Sequence, residues 1–452
     1  MARAMHKRKA FPMGKKILII CYDYLPLVTP NSFRWSGIAE YWAKQAYEVC
    51  VICAWQPEAE REETLKGVRV FRVGGGGSQR IRHGIMGKHR KIVLSRIKQL
   101  NRLSVKDRNV LLLKELHDAT WKKIYWPDFA CLWFFSAIKK AYELVKQHNI
   151  TNMISVSLPF TDHLVGYGVK KKYQKIAWIA DVIDPSFFSD LFLTNNDFLY
   201  RGLNKAVERR VFGEVQAVTV PTRDIRKRYA DLYPEYSQKI SVNPNLLHYE
   251  KKAKESLFPK DNKIRLVFAG TLHKTTRSPE HLLQVFEMLL QTRIGERLEL
   301  HLFGAADSCM ERFRPRQQII NESIFLHGSI SREKAVQAMQ SADILVNIGN
   351  ANPYQEPLKV IEYASAGKPL VNIATISNDS SALVLEKYPA SINVFCPIPE
   401  GEKTEQLNKL VGFIEHPPCV EAGFLKEWLA PYTIDAVAGA YLSMLNQTGG
   451  GA

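Results

Sequence analysis

The sequence predicts an α/β protein with two doubly wound parallel sheets, and three observations support this fold class. Short apolar runs typical of buried strands alternate with stretches of helical periodicity. The alternation pauses near residue 245 and then begins again, so the chain has two similar halves. The 452 residues, 46% of them hydrophobic, suffice for more than one domain at roughly 100–200 residues each. We expect domains at 1–245 and 246–432, and a helix at 433–447 that crosses back to the first domain.

Each element of the first half follows from a local pattern. The apolar run Lys16–Tyr22 is short and meets Asp23, as a buried strand would. Pro26 and Pro30 interrupt the chain, and Asn31 or Ser32 can then cap a helix that runs to about Ala46. The other predicted strands are Glu48–Ala54, Val68–Val73, Asn152–Val156, Ile176–Ala180 and Ala217–Pro221. The other predicted helices are Phe129–His148, Thr161–Lys172 and Leu203–Phe212.

The second half repeats this alternation after a polar stretch that ends near Asn262. Its predicted strands are Arg265–Phe268, Glu299–Phe303, Ile324–His327, Ile344–Ile348 and Pro369–Ile373. Its predicted helices are Pro279–Gln291, Ser331–Ser341, Lys359–Ala366, Ser380–Glu386 and Ala436–Leu445. Ligands in open α/β sheets bind at the carboxyl ends of the strands. We therefore expect a small-molecule site in a cleft between two facing domains.

The cysteines and the hydropathy indicate a cellular compartment. There are seven cysteines, an odd number, and Cys50 and Cys53 lie inside an apolar run, which favours core packing over a redox or zinc pair. No stretch reaches the ~18 apolar residues of a spanning helix, and the apolar run after Lys16 is too short for a signal peptide. We expect a protein of the reducing cytoplasm.

The net charge of +17 is concentrated in two segments. Residues 1–16 carry six Lys or Arg and no acid, and residues 79–108 carry ten Lys or Arg against Asp107 alone. These segments hold 15 of the 17 excess charges, which predicts a polyanionic partner. The candidate contacts are Arg80, Arg82, Lys88, Arg90, Lys91, Arg96 and Lys98.

The second basic segment also contains apolar residues, and Lys88–Leu103 has the pattern of a basic amphipathic helix at a lipid interface. Each cation near an anionic membrane contributes about 1 kcal/mol of attraction. A solvated loop is the alternative. Nucleic acid is disfavoured because single-strand binders interleave aromatic with basic residues, and this segment has no aromatic residue. We expect peripheral association with the inner leaflet of the cell membrane.

Three passages carry a resemblance to a known family. The first runs from Tyr24 and Pro26 through Arg34 to Gly37-Ile38-Ala39. The second comprises 154–163 and the segment 178–185. The third and most specific includes Phe268-Ala269-Gly270-Thr271-Leu272 and the run 357–369, with Lys359 and Glu362. In their order and spacing they resemble the group 1 glycosyltransferases (family 4), notably those of bacterial polysaccharide assembly. That resemblance implies the GT-B fold, with two Rossmann-like domains facing across a cleft.

The resemblance also implies a nucleotide-sugar donor bound mainly by the second domain. A departing nucleotide develops negative charge, which cations and a helix N-terminus stabilise. Arg277 and Lys359 are the candidates for the diphosphate, and the family's glutamate that accepts from the ribose hydroxyls corresponds to Glu362; a surface pair of Lys359 with Glu362 is the alternative. The further donor candidates are Gly270, His327 and Gly328, the last two through backbone contacts with the base.

The candidate catalytic residues are His163, Asp181 and Asp184, which we place after strand ends, and Glu356. An imidazole or carboxylate there can orient the donor sugar or accept the proton of an acceptor hydroxyl. Arg34 is the candidate for the acceptor. The family's paired glutamates would require an acid at position 354, where Tyr354 stands, and Leu358 and Ile183 also depart from the family's pattern.

The hypothesis is therefore a retaining, metal-independent glycosyltransferase without a cofactor, which transfers a hexosyl or N-acetylhexosaminyl group to a lipid-linked or membrane-associated glycan. Retention is implied by the resemblance alone. A nucleotide-sugar epimerase on the same fold and a catalytically silent nucleotide-sugar-binding scaffold are the alternatives.

Overall fold

The computed structural model describes residues 16–27, 29–57, 59–75, 124–188, 195–247, 255–274, 277–349, 354 and 357–446. The chain divides into two compact units. The N-terminal unit comprises Met1–Pro244 together with Ile434–Ala452, and the C-terminal unit comprises Asn245–Thr433. The predicted membrane helix 88–103 and the seven candidate membrane cations between Arg80 and Lys98 lie outside the described residues.

The N-terminal unit is built on a sheet of eight strands in the order β3-β4-β2-β1-β5-β6-β7-β8. Only β3 runs antiparallel to its neighbour. The strands are β1 (Lys16–Ile20), β2 (Glu48–Ala54), β3 (Glu62–Leu65), β4 (Val68–Val73), β5 (Asn152–Ser157), β6 (Ala177–Val182), β7 (Ala217–Val220) and β8 (Ile240–Val242). The helices are α1 (Pro30–Lys44), α2 (Phe134–His148), α3 (Thr161–Lys172), α4 (Asp197–Glu214) and α5 (Arg223–Leu232).

The C-terminal unit has a fully parallel sheet of six strands in the order β11-β10-β9-β12-β13-β14. The strands are β9 (Ile264–Ala269), β10 (Leu298–Phe303), β11 (Ile324–Gly328), β12 (Ile344–Ile348), β13 (Leu370–Ala374) and β14 (Ser391–Phe395). The helices of this unit are α6 (Glu280–Leu290), α7 (Met310–Phe313), α8 (Arg332–Ser341), α9 (Leu358–Ser365), α10 (Ser380–Leu385), α11 (Lys403–Glu415) and α12 (Ala422–Leu429). The last helix of the chain, α13 (Ile434–Asn446), belongs to the N-terminal unit.

Both strand orders confirm the predicted doubly wound α/β fold class. In the C-terminal unit the chain runs outward from β9 to β10 and β11, and then crosses to the other side of β9 with β12. The strand order reverses between β9 and β12, and ligands of open α/β sheets bind outside the carboxyl ends of the strands at such a switch point. The same reversal occurs between β1 and β5 of the N-terminal unit.

Two details of the first helix differ from the sequence prediction. The N-cap of α1 is Thr29 rather than Asn31 or Ser32, and its side chain accepts a hydrogen bond from the backbone of Ser32. The Ser32 hydroxyl reciprocates by accepting from the Thr29 backbone N–H, which completes a capping box. Pro30 then occupies the first helical position, where its missing N–H costs nothing.

An aromatic cluster fixes α13 on the N-terminal unit. The rings of Trp35 and Trp42 on α1 contact the ring of Tyr441 on α13, and all three side chains are fully buried. The indole N–H of Trp42 also donates to the carbonyl of Ala438, at 3.3 Å. Burial of each large side chain contributes about 1.5–3 kcal/mol, so α13 is a substantial part of this core.

None of the helices in the described part of the chain is both long enough and apolar enough to cross a membrane.

Candidate functional site

Glycines mark the carboxyl edge of the C-terminal sheet. Gly270 follows β9, Gly304 follows β10, and Gly328 ends β11. They are linked by backbone hydrogen bonds, from Gly270 N–H to Phe303 and from Gly304 N–H to Gly328, both 2.7 Å. Gly304 has φ +126°, and a Cβ there would lie 2.1 Å from the carbonyl oxygen of Gly270. The strand ends therefore present bare backbone, which permits close approach of a ligand.

Lys359 lies directly over this edge. It stands in the first turn of α9, and its Nζ donates to the carbonyl of Ala269 at 2.5 Å. A Cβ on Gly270 would lie only 1.7 Å from this Nζ, so glycine is the residue that leaves room for the ammonium. Burial, and next the positive charge of Arg277, lower the pKa of Lys359 to about 8. A buried cation at a helix N-terminus is suited to an anionic ligand.

Arg277 contributes the second cation, and it lies near enough to Lys359 for its positive charge to act on that lysine. The backbone N–H of His273 donates to the Arg277 carbonyl at 3.0 Å, which ties Arg277 to the segment that follows β9. Burial also lowers the pKa of Arg277. Two partly desolvated cations in one place repel each other, and an anion bound between them relieves that repulsion.

Glu362 lies one turn after Lys359 on α9, but its ion-pair partner is Arg332 rather than Lys359. Arg332 Nη2 lies 2.8 Å from Glu362 Oε1, and the Glu362 side chain remains 27% exposed. Arg332 is the first residue of α8, whose N-cap Ser331 accepts from Lys334 N–H. Sequence reasoning missed Arg332, because nothing in the local pattern shows that the starts of α8 and α9 converge.

His327 and Gly328 lie at the open end of β11, and both are exposed. The His327 ring stacks on Phe303 of β10, with centroids 4.0 Å apart and planes 7° apart. Its Nε2 lies 3.0 Å from His301 Nδ1. His301 was not predicted as a site residue, and it reaches His327 only because β10 and β11 are neighbours in the sheet.

A buried polar group supports the other side of the switch point. Asp379 caps α10 by accepting from Ala382 N–H at 2.8 Å, and it also accepts from the Asn372 side chain at 3.2 Å. A Cβ on Gly349, directly after β12, would lie 2.5 Å from an Asp379 carboxylate oxygen. Asp379 therefore positions the turn that leads to residues 350–356. The predicted catalytic residue Glu356 belongs to that segment and lies outside the described residues.

In the N-terminal unit the structure changes the interpretation of Asp181 and Arg34. Asp181 lies within β6 rather than after it, and its carboxylate accepts from Trp35, Thr219 and Tyr441. Arg34 lies 3.8 Å from this carboxylate and donates to the carbonyl of Pro244 at 2.6 Å and to Tyr441 at 2.9 Å. Both side chains are almost completely buried.

This network gives both side chains a structural role, while a catalytic role for Asp181 and an acceptor contact for Arg34 stay predictions. Every hydrogen bond described for the two side chains goes to another part of the N-terminal unit, and the partners come from α1, β7, the chain after β8, and α13. We therefore assign to this pair the positioning of α1 and α13 against the sheet.

His163 and Asp184 both come after the end of a strand, β5 and β6 respectively. His163 is in the first turn of α3 and is fully buried, and its Nδ1 lies 2.7 Å from Ser155 Oγ, which also accepts from the Trp178 indole. Burial lowers the pKa of His163 to about 3, so the ring is neutral, and its Nε2 has no hydrogen-bond partner among the described residues. Asp184 follows β6 and is half-buried, and burial raises its pKa to about 6.

Within the described ranges, no group of three or more His, Cys, Asp or Glu side chains has the geometry to hold a metal ion.

Comparison with known families and structures identifies the class of protein. Residues 263–387, which include β9 through α10, match the family model described as Glycosyl transferases group 1. This match confirms the resemblance that the motifs indicated: the C-terminal unit carries a group 1 glycosyltransferase domain, and the enzyme class is a glycosyltransferase. A search of curated proteins finds no match.

Solved structures confirm the GT-B fold over nearly the whole chain. A glycosyltransferase from Rickettsia africae is 11% identical, with 97% of this chain and 99% of that chain covered and a TM-score of 0.54. HepE from Anabaena, crystallised with UDP, is 10% identical, with 95% and 99% covered and a TM-score of 0.56. The lipopolysaccharide outer core galactosyltransferase WaaB is 11% identical, with 96% and 99% covered and a TM-score of 0.55. At these identities the likeness concerns the fold.

Proposed function

We propose that this protein is a retaining glycosyltransferase that moves a sugar from a nucleotide-sugar donor to a lipid-linked or membrane-associated glycan in polysaccharide or cell-envelope biosynthesis. The observation that carries the proposal is the position of Lys359, whose ammonium lies over the bare backbone of Gly270 at the switch point of the C-terminal sheet. The structures of HepE with UDP and of the lipopolysaccharide galactosyltransferase WaaB support the choice of donor and of biosynthetic context.

The donor's diphosphate fits the cationic side of this edge. Glycosyl transfer breaks the bond between the anomeric carbon and a phosphate oxygen, so negative charge grows on the diphosphate as it leaves. Lys359 and Arg277 are already in place and partly desolvated, and such fixed cations stabilise a developing charge without reorganising. Removing a single fixed donor from a site of this type costs about 100- to 1,000-fold in rate.

Glu362 supplies the acceptor for the sugar hydroxyls of the nucleotide. A carboxylate accepts two hydroxyl hydrogen bonds, and the ion pair of Glu362 with Arg332 orients it. Arg332 itself reaches from the start of α8, so the two helices that flank the switch point both contribute to this contact.

Asp184 is the candidate in the N-terminal unit for accepting the proton of the acceptor hydroxyl. A half-buried carboxylate with a pKa raised to about 6 is a stronger base than an ordinary aspartate and is still ionised at neutral pH. His163 is neutral and fully buried, so it acts on this side through its contact with Ser155.

The membrane-associated acceptor is supported by the charge distribution in the sequence. The basic segments 1–16 and 79–108 both belong to the N-terminal unit. Attraction to an anionic surface would bring this unit to an acceptor embedded in the inner leaflet.

Nucleotide binding by matched lysine variants tests the donor site. We expect the full-length protein to bind UDP or GDP in calorimetry, and Lys359→Ala to weaken that binding at least tenfold. The control is Lys387→Ala, an exposed lysine of the same unit, which should bind like the unmodified protein. Equal affinity of all three proteins would contradict the proposal. Binding without sugar transfer to any lipid-linked glycan would favour the silent scaffold, and release of an epimerised sugar would favour the epimerase.

A further inference from the structure

Two histidines lie side by side at the glycine edge and are joined in one chain of hydrogen bonds. His301 Nδ1 is 3.0 Å from His327 Nε2, and His301 Nε2 is 3.2 Å from Glu299 Oε2. The imidazole planes differ by 16° and the centroids are 5.2 Å apart, so the two rings meet edge to edge. Glu299 is in turn paired with Arg265, at 3.0 Å.

The carboxylate at one end of this chain fixes where each hydrogen lies. Glu299 can only accept, so His301 must carry its hydrogen on Nε2. Burial lowers the pKa of both histidines, so both are neutral at neutral pH. The Nδ1 of neutral His301 is then an acceptor, and His327 must donate from Nε2. The remaining nitrogen, His327 Nδ1, is left as a bare acceptor.

His327 is placed for contact with a ligand that starts at Lys359. The edge runs from Gly270 beside Lys359 through Gly304 to Gly328, two steps of about 4.8 Å each between neighbouring strands. Phe303 covers one face of the His327 ring, but the residue as a whole is exposed. Apart from its chain neighbours, no atom lies within 4 Å of the position of a Cβ on Gly328, so the space next to this glycine is open.

We propose that His327 reads the nucleobase of the donor by accepting a hydrogen bond from a ring N–H, and that it thereby selects uracil or guanine against cytosine or adenine. The inference rests on the proposed function. Uracil N3 and guanine N1 carry a hydrogen, whereas cytosine N3 and adenine N1 are acceptors whose lone pair would face the lone pair of His327. Two acceptors that face each other without a hydrogen between them weaken binding by about tenfold to a hundredfold.

Binding of four nucleoside diphosphates to the full-length protein tests this inference. We expect UDP or GDP to bind at least tenfold more tightly than CDP and ADP. In His327→Phe the flat ring on Phe303 is kept and both nitrogens are lost, so the preference should fall below about threefold. His281→Phe, a change of a half-buried histidine on α6 of the same unit, is the control and should keep the full preference.

A second variant separates base reading from a purely structural role. In Glu299→Gln the amide can donate to His301 Nε2, which lets His301 donate from Nδ1 and moves the His327 hydrogen to Nδ1. CDP and ADP should then gain relative to UDP and GDP, whereas a mere loss of packing would weaken all four alike.

The outcomes separate the base reading by His327 from the proposed donor site. Equal affinity of the unmodified protein for all four nucleotides, or an unchanged preference in His327→Phe, overturns the base reading and leaves the donor site in place. Failure of every nucleotide to bind overturns the proposed function and the base reading with it.

Discussion

Charged residues near the strand ends differ in how completely the protein itself satisfies them. Asp181 has three donors around its carboxylate and a buried arginine beside it, so most of its hydrogen-bonding capacity is used within the unit. Lys359 donates to one carbonyl. Burial, rather than a neighbouring carboxylate, has the largest effect on its pKa, and the lowered pKa means that the positive charge is unfavourable there. This difference separates a positioning residue from a binding residue.

The pKa of Lys359 predicts how donor affinity depends on pH. The lysine loses its charge as the pH rises through about 8, so nucleotide affinity should fall about twofold from pH 7 to 8 and up to about tenfold per pH unit above it. Calorimetric titration with UDP or GDP between pH 7 and 9.5 measures this. Lys359→Gln should bind more weakly throughout and without the decline; a decline of equal slope in both proteins would refute the assignment.

The candidate site could be predicted from the sequence only in part, for a physical reason. Arg277, Lys359 and Glu362 lie in a motif whose local order already places them at strand and helix ends, and the structure brings the two cations together. Arg332, His301 and Asp379 were missed because their partners are distant in sequence and meet only through the sheet order. The buried network around Arg34 and Asp181 was missed for the same reason, since Tyr441 lies 260 residues after Asp181.

At the scale of helices and strands, the strands that the sequence predicts well are those buried on both faces of the sheet. Strands such as β2 and β12 are apolar except for one residue each, Glu48 and Asn347, and were predicted with the bounds that the structure shows. The strands β3 and β14 lie at sheet edges, and neither was predicted. Exposed and half-buried residues alternate along β3, and most residues of β14 are half-buried. The short β8 and the polar α5 were missed as well, because neither shows a long apolar pattern.

Removal of α13 tests the assignment of this helix to the N-terminal unit. Truncation after Thr433 removes the buried Val437, Tyr441 and Leu445, each worth about 1.5–3 kcal/mol, and takes one donor from Asp181. Hydrogen exchange followed by mass spectrometry should show lost protection in β1, β6 and α1, while β9 and β12 keep theirs. Truncation after Asn446 leaves α13 intact and is the control. Equal loss in both units would contradict the assignment.

Across the whole molecule, the excess positive charge is confined to two segments of one unit. Such a distribution favours one orientation at an anionic surface, since the rest of the chain is nearly neutral. The unit that meets the lipid would then also present the candidate residues that act on a membrane-bound glycan acceptor.

Deletion of residues 79–108 tests this use of the charge. The segment contributes a net charge of +9, and at about 1 kcal/mol per cation near the surface its loss should reduce sedimentation with anionic vesicles at least tenfold. Binding to neutral vesicles and calorimetric affinity for nucleotide should be unaffected. Unchanged sedimentation of the deletion variant would rule out this segment as the membrane contact.

The return of α13 has a consequence for biosynthesis. The ribosome completes the Asn245–Thr433 segment before it makes the helix that Trp35, Trp42 and Asp181 require. The N-terminal unit therefore leaves the ribosome first but keeps those side chains uncovered until α13 is made. The C-terminal unit can finish folding before it. A stop codon in place of the codon for Ile434 would therefore harm the unit that is translated first, although it leaves the whole Asn245–Thr433 segment in place.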